Sequence, residues 1–177
     1  MIYISKIINK KLKSDRGCYP YNIPSIINLN ELTFQSPVTF IIGENGCGKS
    51  TLIEAIAIKV GFNPEGGGRN FNFKTHDSYS TLFEDIQLIR TAYRNKDGYF
   101  LRAESFYNVA SEVDFVYKGE IGQLEKAYGG SLHQKSHGES FLHLMNNRLT
   151  GNGFYIFDEP ESALSVRSQF NMLTRIK

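Results

Sequence analysis

A mixed α/β fold, one sheet flanked by helices, is predicted by three features of the 177-residue chain. Val38-Thr39-Phe40-Ile41-Ile42 is a nearly continuous apolar run, the composition of a strand buried on both faces. Beyond the glycines that follow it, Thr51–Val60 holds Leu52, Ile53, Ala55, Ile56, Ala57 and Ile58, a helix apolar nearly all round and therefore sandwiched. Far downstream, Phe154-Tyr155-Ile156-Phe157 runs into Asp158 and Glu159, a second apolar strand delivering acids at its C-terminal end.

Between the first strand and its helix stands Gly43-Glu44-Asn45-Gly46-Cys47-Gly48-Lys49-Ser50, which fits G-x-x-x-x-G-K-[ST] at every fixed position. Strand, loop and helix in this order are the context the motif needs, and the fold class sharpens to a P-loop NTPase. Glycines let backbone N–H groups turn inward around phosphate oxygens, and the helix start adds its partial positive charge to the same spot. Residues 43 to 50, with Thr51, are thus expected to bind ATP, with Lys49 reaching the β- and γ-phosphates and the Ser50 hydroxyl ligating Mg²⁺.

In chain order, Ile2–Ile8 alternates loosely and reads as a first strand. Arg16–Pro24 is rich in turn residues and carries Tyr19 and Tyr21; either ring is suited to stack on adenine or to pack under the loop. Glu31–Phe34 and Val38–Ile42 flank Gln35-Ser36-Pro37 and read as a hairpin ending at the phosphate loop. Gly61–Asn72, with Gly66-Gly67-Gly68, reads as a loop. Leu82, Ile86, Ile89 and Tyr93 fall on one face of a helix over 81–93, and Thr81 with Glu84 forms a potential capping box. Gly98–Ser105 reads as a strand and Phe106–Phe115 as a helix, while the segment from Gly119 to Leu132 fits no pattern clearly. The whole is expected to be a single domain: strands and phosphate loop over 1–60, an inserted helical segment over about 61–135, and the remaining chemistry over 136–177.

Composition narrows the class. Hydrophobic residues make up 41% of the chain and charged ones 21%, enough for a core. A net charge of +2 does not point to nucleic acid, and Lys10, Lys11, Lys13 and Arg16 read as a solvated loop. With two cysteines, one of them Cys47 inside the loop, a disulfide framework is not expected and a reducing cytoplasm fits. No apolar run approaches the roughly 18 residues of a membrane span, so no membrane partner is expected.

Asp158 and Glu159 have two readings, a helix N-cap pair or the acids of an ATPase: Asp158 in the Mg²⁺ shell and Glu159 accepting a proton from, or orienting, the attacking water. The phosphate loop upstream favours the second. His133 and His137 are four apart, with no third metal ligand in sequence reach.

Ser136-His137-Gly138-Glu139-Ser140 stands 22 positions before Asp158. Here the chain resembles the ATP-binding-cassette superfamily, whose signature is usually Leu-Ser-Gly-Gly-Gln. Ser136 and Gly138 keep its serine and second glycine, His137 and Glu139 depart from the transporter form, and Ser162-Ala163-Leu164-Ser165 is similar to the D-loop. Tyr19–Pro24, Glu65–Phe73, Phe100–Phe106 and Ser136–Phe141 are similar to compact bacterial predicted AAA-type ATPases, related to recombination and chromosome-maintenance ATPases. The resemblance runs from Met1 to about Gln169. It implies a soluble ATPase forming a nucleotide-sandwich homodimer, in which Ser136 and Gly138 of one subunit cover phosphates held by the other, with a nucleic-acid or protein partner in repair or defence. It offers Glu104 as stand-in for the family's glutamine loop, a Mg²⁺ or water contact, against the plainer reading of a surface salt bridge between Arg102 or Glu104 and a neighbour; Gln87 is a weaker match. A nucleotide sensor without turnover and the ATP subunit of a transporter are the alternatives. The resemblance also implies a further core strand with a switch histidine after the helix that begins at Glu161; that helix is still running at Lys177, so a C-terminally truncated form lacking its last core strand is expected.

Overall fold

The computed structural model describes residues 1–69, 71, 79–149 and 151–176. Asn70, Asn72 and Phe73 of the Glu65–Phe73 motif and Lys177 lie outside the described residues. The chain divides into two compact units, 1–64 with 75–95, and 65–74 with 96–177.

The first unit is built on β1 (Ile4–Asn9), with α1 (Pro24–Ile27), β2 (Glu31–Thr33), α2 (Lys49–Val60), α3 (Leu82–Asp85) and β3 (Ile86–Arg90) following. β1 is the centre of a three-stranded antiparallel sheet in the order β2-β1-β3, with Ile7 opposite Leu32 on one side and Leu88 on the other. Isoleucine-rich β1 buries Ile4 and Ile7, as β-branched side chains on a half-covered pleat should. α2 packs against α3 and β3 and buries Leu52, Ala55, Ile56, Ala57 and Val60. It ends at Gly61, whose left-handed conformation lets its own N–H and that of Phe62 close back on the Ala57 carbonyl.

Four expectations are corrected in this unit. Residues 81–93 do not form one helix: a single turn, α3, gives way to β3. The free edge of β1 offers β3 a hydrogen-bond ladder from Ile4↔Arg90 to Asn9↔Ile86, and that tertiary pairing overrides the helical spacing of the apolar residues. Gln87 is thus a strand residue opposite Ile8. The hairpin of 31–34 with 38–42 is also absent, because β2 pairs with β1. Val38–Ile42 is accordingly not a buried strand: no strand pairs with it among the described residues, and Phe40 and Ile42 are 66% and 90% exposed. Nor is the basic loop wholly solvated, since the Arg16 guanidinium is buried among backbone carbonyls.

The second unit contains β4 (Asp97–Arg102), α4 (Phe106–Val116), α5 (Ile121–Tyr128), α6 (His137–Arg148), β5 (Gly153–Asp158) and α7 (Val166–Arg175). β4 and β5 run parallel in register, Asp97 opposite Gly153 and Arg102 opposite Asp158. On its other edge β4 exchanges two backbone bonds with Gly67, whose φ of 103° only glycine adopts without strain. β4 therefore buries Tyr99, Phe100 and Leu101 on both faces. α4 contributes Phe106, Val109, Ala110 and Val113 to the core, and α6 adds Phe141, Leu144 and Met145 at helical spacing. A half-buried ion pair, Arg148 to Asp97 at 2.9 Å, ties the end of α6 to the start of β4. The helix expected from Glu161 is two elements, a 3₁₀ turn over Pro160–Ala163 and then α7 with Ser165 as its N-cap.

Candidate functional site

Gly46 and Gly48 carry the phosphate loop through φ values of 76° and 98°, conformations that favour residues without a Cβ. A Cβ on Gly43 would stand 2.7 Å from the Cys47 sulfur, so the loop is also too tight for a side chain there. Gly48 is the N-cap of α2, its carbonyl receiving the Leu52 N–H. The first-turn amides of a helix have no acceptor within it, and the positive end of the helix dipole lies among them. Ser50 and Thr51 are in this turn. The Lys49 ammonium folds back over the loop and donates to the Gly43 and Glu44 carbonyls at 2.8 and 2.9 Å. The glycine cradle, converging amides and one cation suit a polyphosphate.

The two candidate tyrosines differ. Tyr21 is 6% exposed, its hydroxyl donates to Asp85, and the Lys11 ammonium stands over its ring, 5.0 Å from the centroid. Burial first, then Asp85, pushes its phenol up to about 12. Tyr19 is 64% exposed, and its ring is the one open to a planar ligand.

In the second unit the strand ends bring charge together. Asp158, buried at the end of β5, receives Arg102 across the parallel register, Nε to Oδ2 at 3.4 Å. Arg102 also reaches Glu104, Nη2 to Oε2 at 3.2 Å, and the Glu104 side chain is 81% exposed. Glu104 thus sits in an ion pair of the plain surface kind, sharing its arginine with Asp158. From sequence, Arg102 was legible only as a surface ion-pair residue; its contact with Asp158 depends on a strand register that no local pattern encodes. Glu159 is exposed and is the one non-glycine residue with positive φ, 49°, among those described. A left-handed glutamate ahead of a proline is strained backbone, of the kind that gathers at functional sites. Its carbonyl is fixed by the amide and hydroxyl of Ser162.

Ser136 caps α6 in a box with Glu139, both its N–H and its hydroxyl donating to the Glu139 carboxylate at 3.0 and 2.6 Å. Those bonds hold the Glu139 carboxyl below its ordinary range. His137 stands edge-on to Phe106. Gly138 has a packing reason for its identity, since a Cβ there would come within 2.8 Å of the Ala163 carbonyl in the turn after β5. His133 joins Ser111 and Tyr107. The Ser111 hydroxyl lies 3.0 Å from both the Tyr107 carbonyl and His133 Nε2. Among the described residues no group of three or more His, Cys, Asp or Glu could hold a metal ion. Ser50 in the first unit and Asp158 in the second each carry a hard oxygen donor of the kind Mg²⁺ accepts. No helix among the described residues is long and apolar enough to cross a membrane.

Comparison with known proteins returns an AAA domain, matched over residues 21–149, more than two thirds of the chain. The chain is also similar to the DNA repair protein RAD50 of Drosophila melanogaster, 36% identical over 72 residues. That match covers 40% of this chain and 6% of the relative. No solved structure matches.

Proposed function

This chain belongs to the AAA domain family, and from that membership and the geometry of its glycine loop we propose that it binds and hydrolyses ATP with Mg²⁺ as a nucleotide-sandwich dimer. The observation that carries the reading is the loop: two left-handed glycines open onto the first turn of α2, with Lys49 folded over the carbonyls of Gly43 and Glu44. Residues 43 to 51 take the phosphates, Lys49 exchanging its loop carbonyls for β- and γ-phosphate oxygens. Tyr19, with its open ring, takes the adenine in place of Tyr21. Ser50 and Asp158 would hold Mg²⁺, with Glu104 contributing through water; the ion supplies charge neutralisation on the phosphate oxygens when bound. Glu159 accepts the proton of the attacking water or orients it. Ser136 and Gly138, at the start of α6, cover the γ-phosphate on the partner subunit's loop. Similarity to a DNA repair protein supports a nucleic-acid or DNA-bound protein partner.

The test is a pair of variants. Lys49→Ala should abolish the thermal shift with Mg-ATP, which at 100 times the dissociation constant amounts to about 2.7 kcal/mol. Glu159→Gln should keep that shift, lose at least about 10²-fold in turnover, and accumulate an ATP-dependent dimer in light scattering. Binding unaffected by Lys49→Ala would overturn the reading of the loop. Binding without turnover in the unaltered chain would reassign it as a nucleotide sensor.

A further inference from the structure

We propose that Ser25 is a positioning residue for phosphate binding, locking one peptide of the glycine loop so that the Gly48 N–H faces the ligand. The inference rests on the reading of residues 43 to 51 as a nucleotide cradle, and it concerns a residue outside the motif.

Ser25 lies in the first turn of α1, and its hydroxyl donates to the Cys47 carbonyl. A peptide unit is planar and trans, so its C=O and the following N–H point in opposite directions. With the Cys47 carbonyl turned to Ser25, the Gly48 N–H is turned to the opposite side of the loop. The contact is close on a second count: a Cβ on Gly48 would meet the Ile23 side chain at 2.6 Å and the Ser25 hydroxyl at 2.7 Å. Glycine at this position removes that clash and permits the φ of 98°. The same freedom makes a flip of the Cys47–Gly48 peptide inexpensive. A flipped peptide would present a carbonyl oxygen to an anion in place of an N–H, so the loop needs an outside group to hold one orientation. Ser25 is that group.

Its own position is well fixed. Arg16, 3% exposed, donates through Nη1 to the Ile27 and Leu29 carbonyls at 2.8 and 3.0 Å, and through Nε and Nη2 to the Lys11 carbonyl. These bonds tie the end of α1 to the chain leaving β1, and Ile26 is completely buried beneath it. Tyr21, bonded to Asp85, anchors the segment that leads into α1. A buried guanidinium with several carbonyl acceptors is a rigid clamp, so Ser25 presents its hydroxyl to the loop from a prearranged site.

The experiment is calorimetric titration of the full chain with ATP and with inorganic triphosphate, comparing wild type, Ser25→Ala, Ser25→Thr and Lys49→Ala. Ser25→Ala should weaken ATP and triphosphate by the same factor, roughly tenfold, and leave the ligand-free unfolding midpoint unchanged, because the residue is exposed. Ser25→Thr, which keeps the hydroxyl, should restore binding. In ¹⁵N spectra the Gly48 amide should move on adding triphosphate to wild type and respond much less in Ser25→Ala, while the Lys49 amide responds in both. Equal affinity of Ser25→Ala and wild type would overturn the inference alone, as would a loss that Ser25→Thr fails to restore or a Gly48 amide that responds alike in both. Failure of wild-type protein to bind either ligand would overturn the cradle reading, and the inference with it.

Discussion

Two apolar runs end at the residues that carry the chemistry, Val38–Ile42 ahead of Gly43 and Phe154–Phe157 ahead of Asp158. They differ in their neighbours. Phe154–Phe157 lies in β5, paired residue for residue with β4, and Tyr155 and Phe157 pack against the core of their unit. Val38–Ile42 has no pairing strand among the described residues and holds Phe40 and Ile42 out to solvent. An extended apolar segment becomes a strand only when another backbone satisfies its N–H and C=O groups. The pattern of side chains states what a segment needs, and the rest of the chain decides whether it is met.

The comparison is broken most forcefully by truncating one residue on each side. Leu101 is buried in β4, opposite Phe157. Leu101→Ala should cost about 2–5 kcal/mol, read as a lower urea midpoint with an unchanged slope. Ile42→Ala removes a side chain that lies in solvent and should cost less than about 0.5 kcal/mol. Comparable losses from the two would mean that Val38–Ile42 is covered in solution, and the contrast between the runs would fall.

A sharper version concerns the acid that each strand register fixes. Asp158 is buried beside Arg102 because β4 and β5 are parallel and in phase. Arg102→Ala leaves a buried carboxylate without its guanidinium and should cost about 2–3 kcal/mol, less than a fully buried pair because Arg102 is partly exposed. In an Asp158→Asn background the same change should cost under about 1 kcal/mol. A double-mutant cycle reads the difference, and additive effects would mean that the ion pair contributes nothing.

These contrasts mark what the sequence could and could not carry. The phosphate loop, the helix after it, the β5 run and the start of α6 were legible because each is local: a spacing or a fixed motif. β3 was not, since Leu82, Ile86, Ile89 and Tyr93 keep helical spacing and only the free edge of β1 makes 86–90 a strand. The same is true of Tyr19 and Tyr21, equivalent in composition and separated only by Asp85 and Lys11, residues far from Tyr21 in one case and across a turn in the other. The Ser25 contact with Cys47 spans 22 positions and leaves no periodicity to read.

The smallest effect lies in pH, where the two units are poised in opposite directions. Burial and Asp85 raise the Tyr21 phenol from an ordinary value near 10 to about 12. A raised folded pKa stabilises fully below the unfolded value, and the benefit is lost as pH climbs through the folded one. The advantage of wild type over Tyr21→Phe should thus be constant below about pH 10 and shrink between about 10 and 12, measured as the difference in unfolding midpoint. A difference flat across that window would show that the phenol ionises alike in both states. Glu139 works the other way: bonds from Ser136 lower its pKa, so the cap of α6 is intact at neutral pH and fails as pH drops through the folded value. The unit with the phosphate loop should loosen in alkali, and the start of α6 in acid.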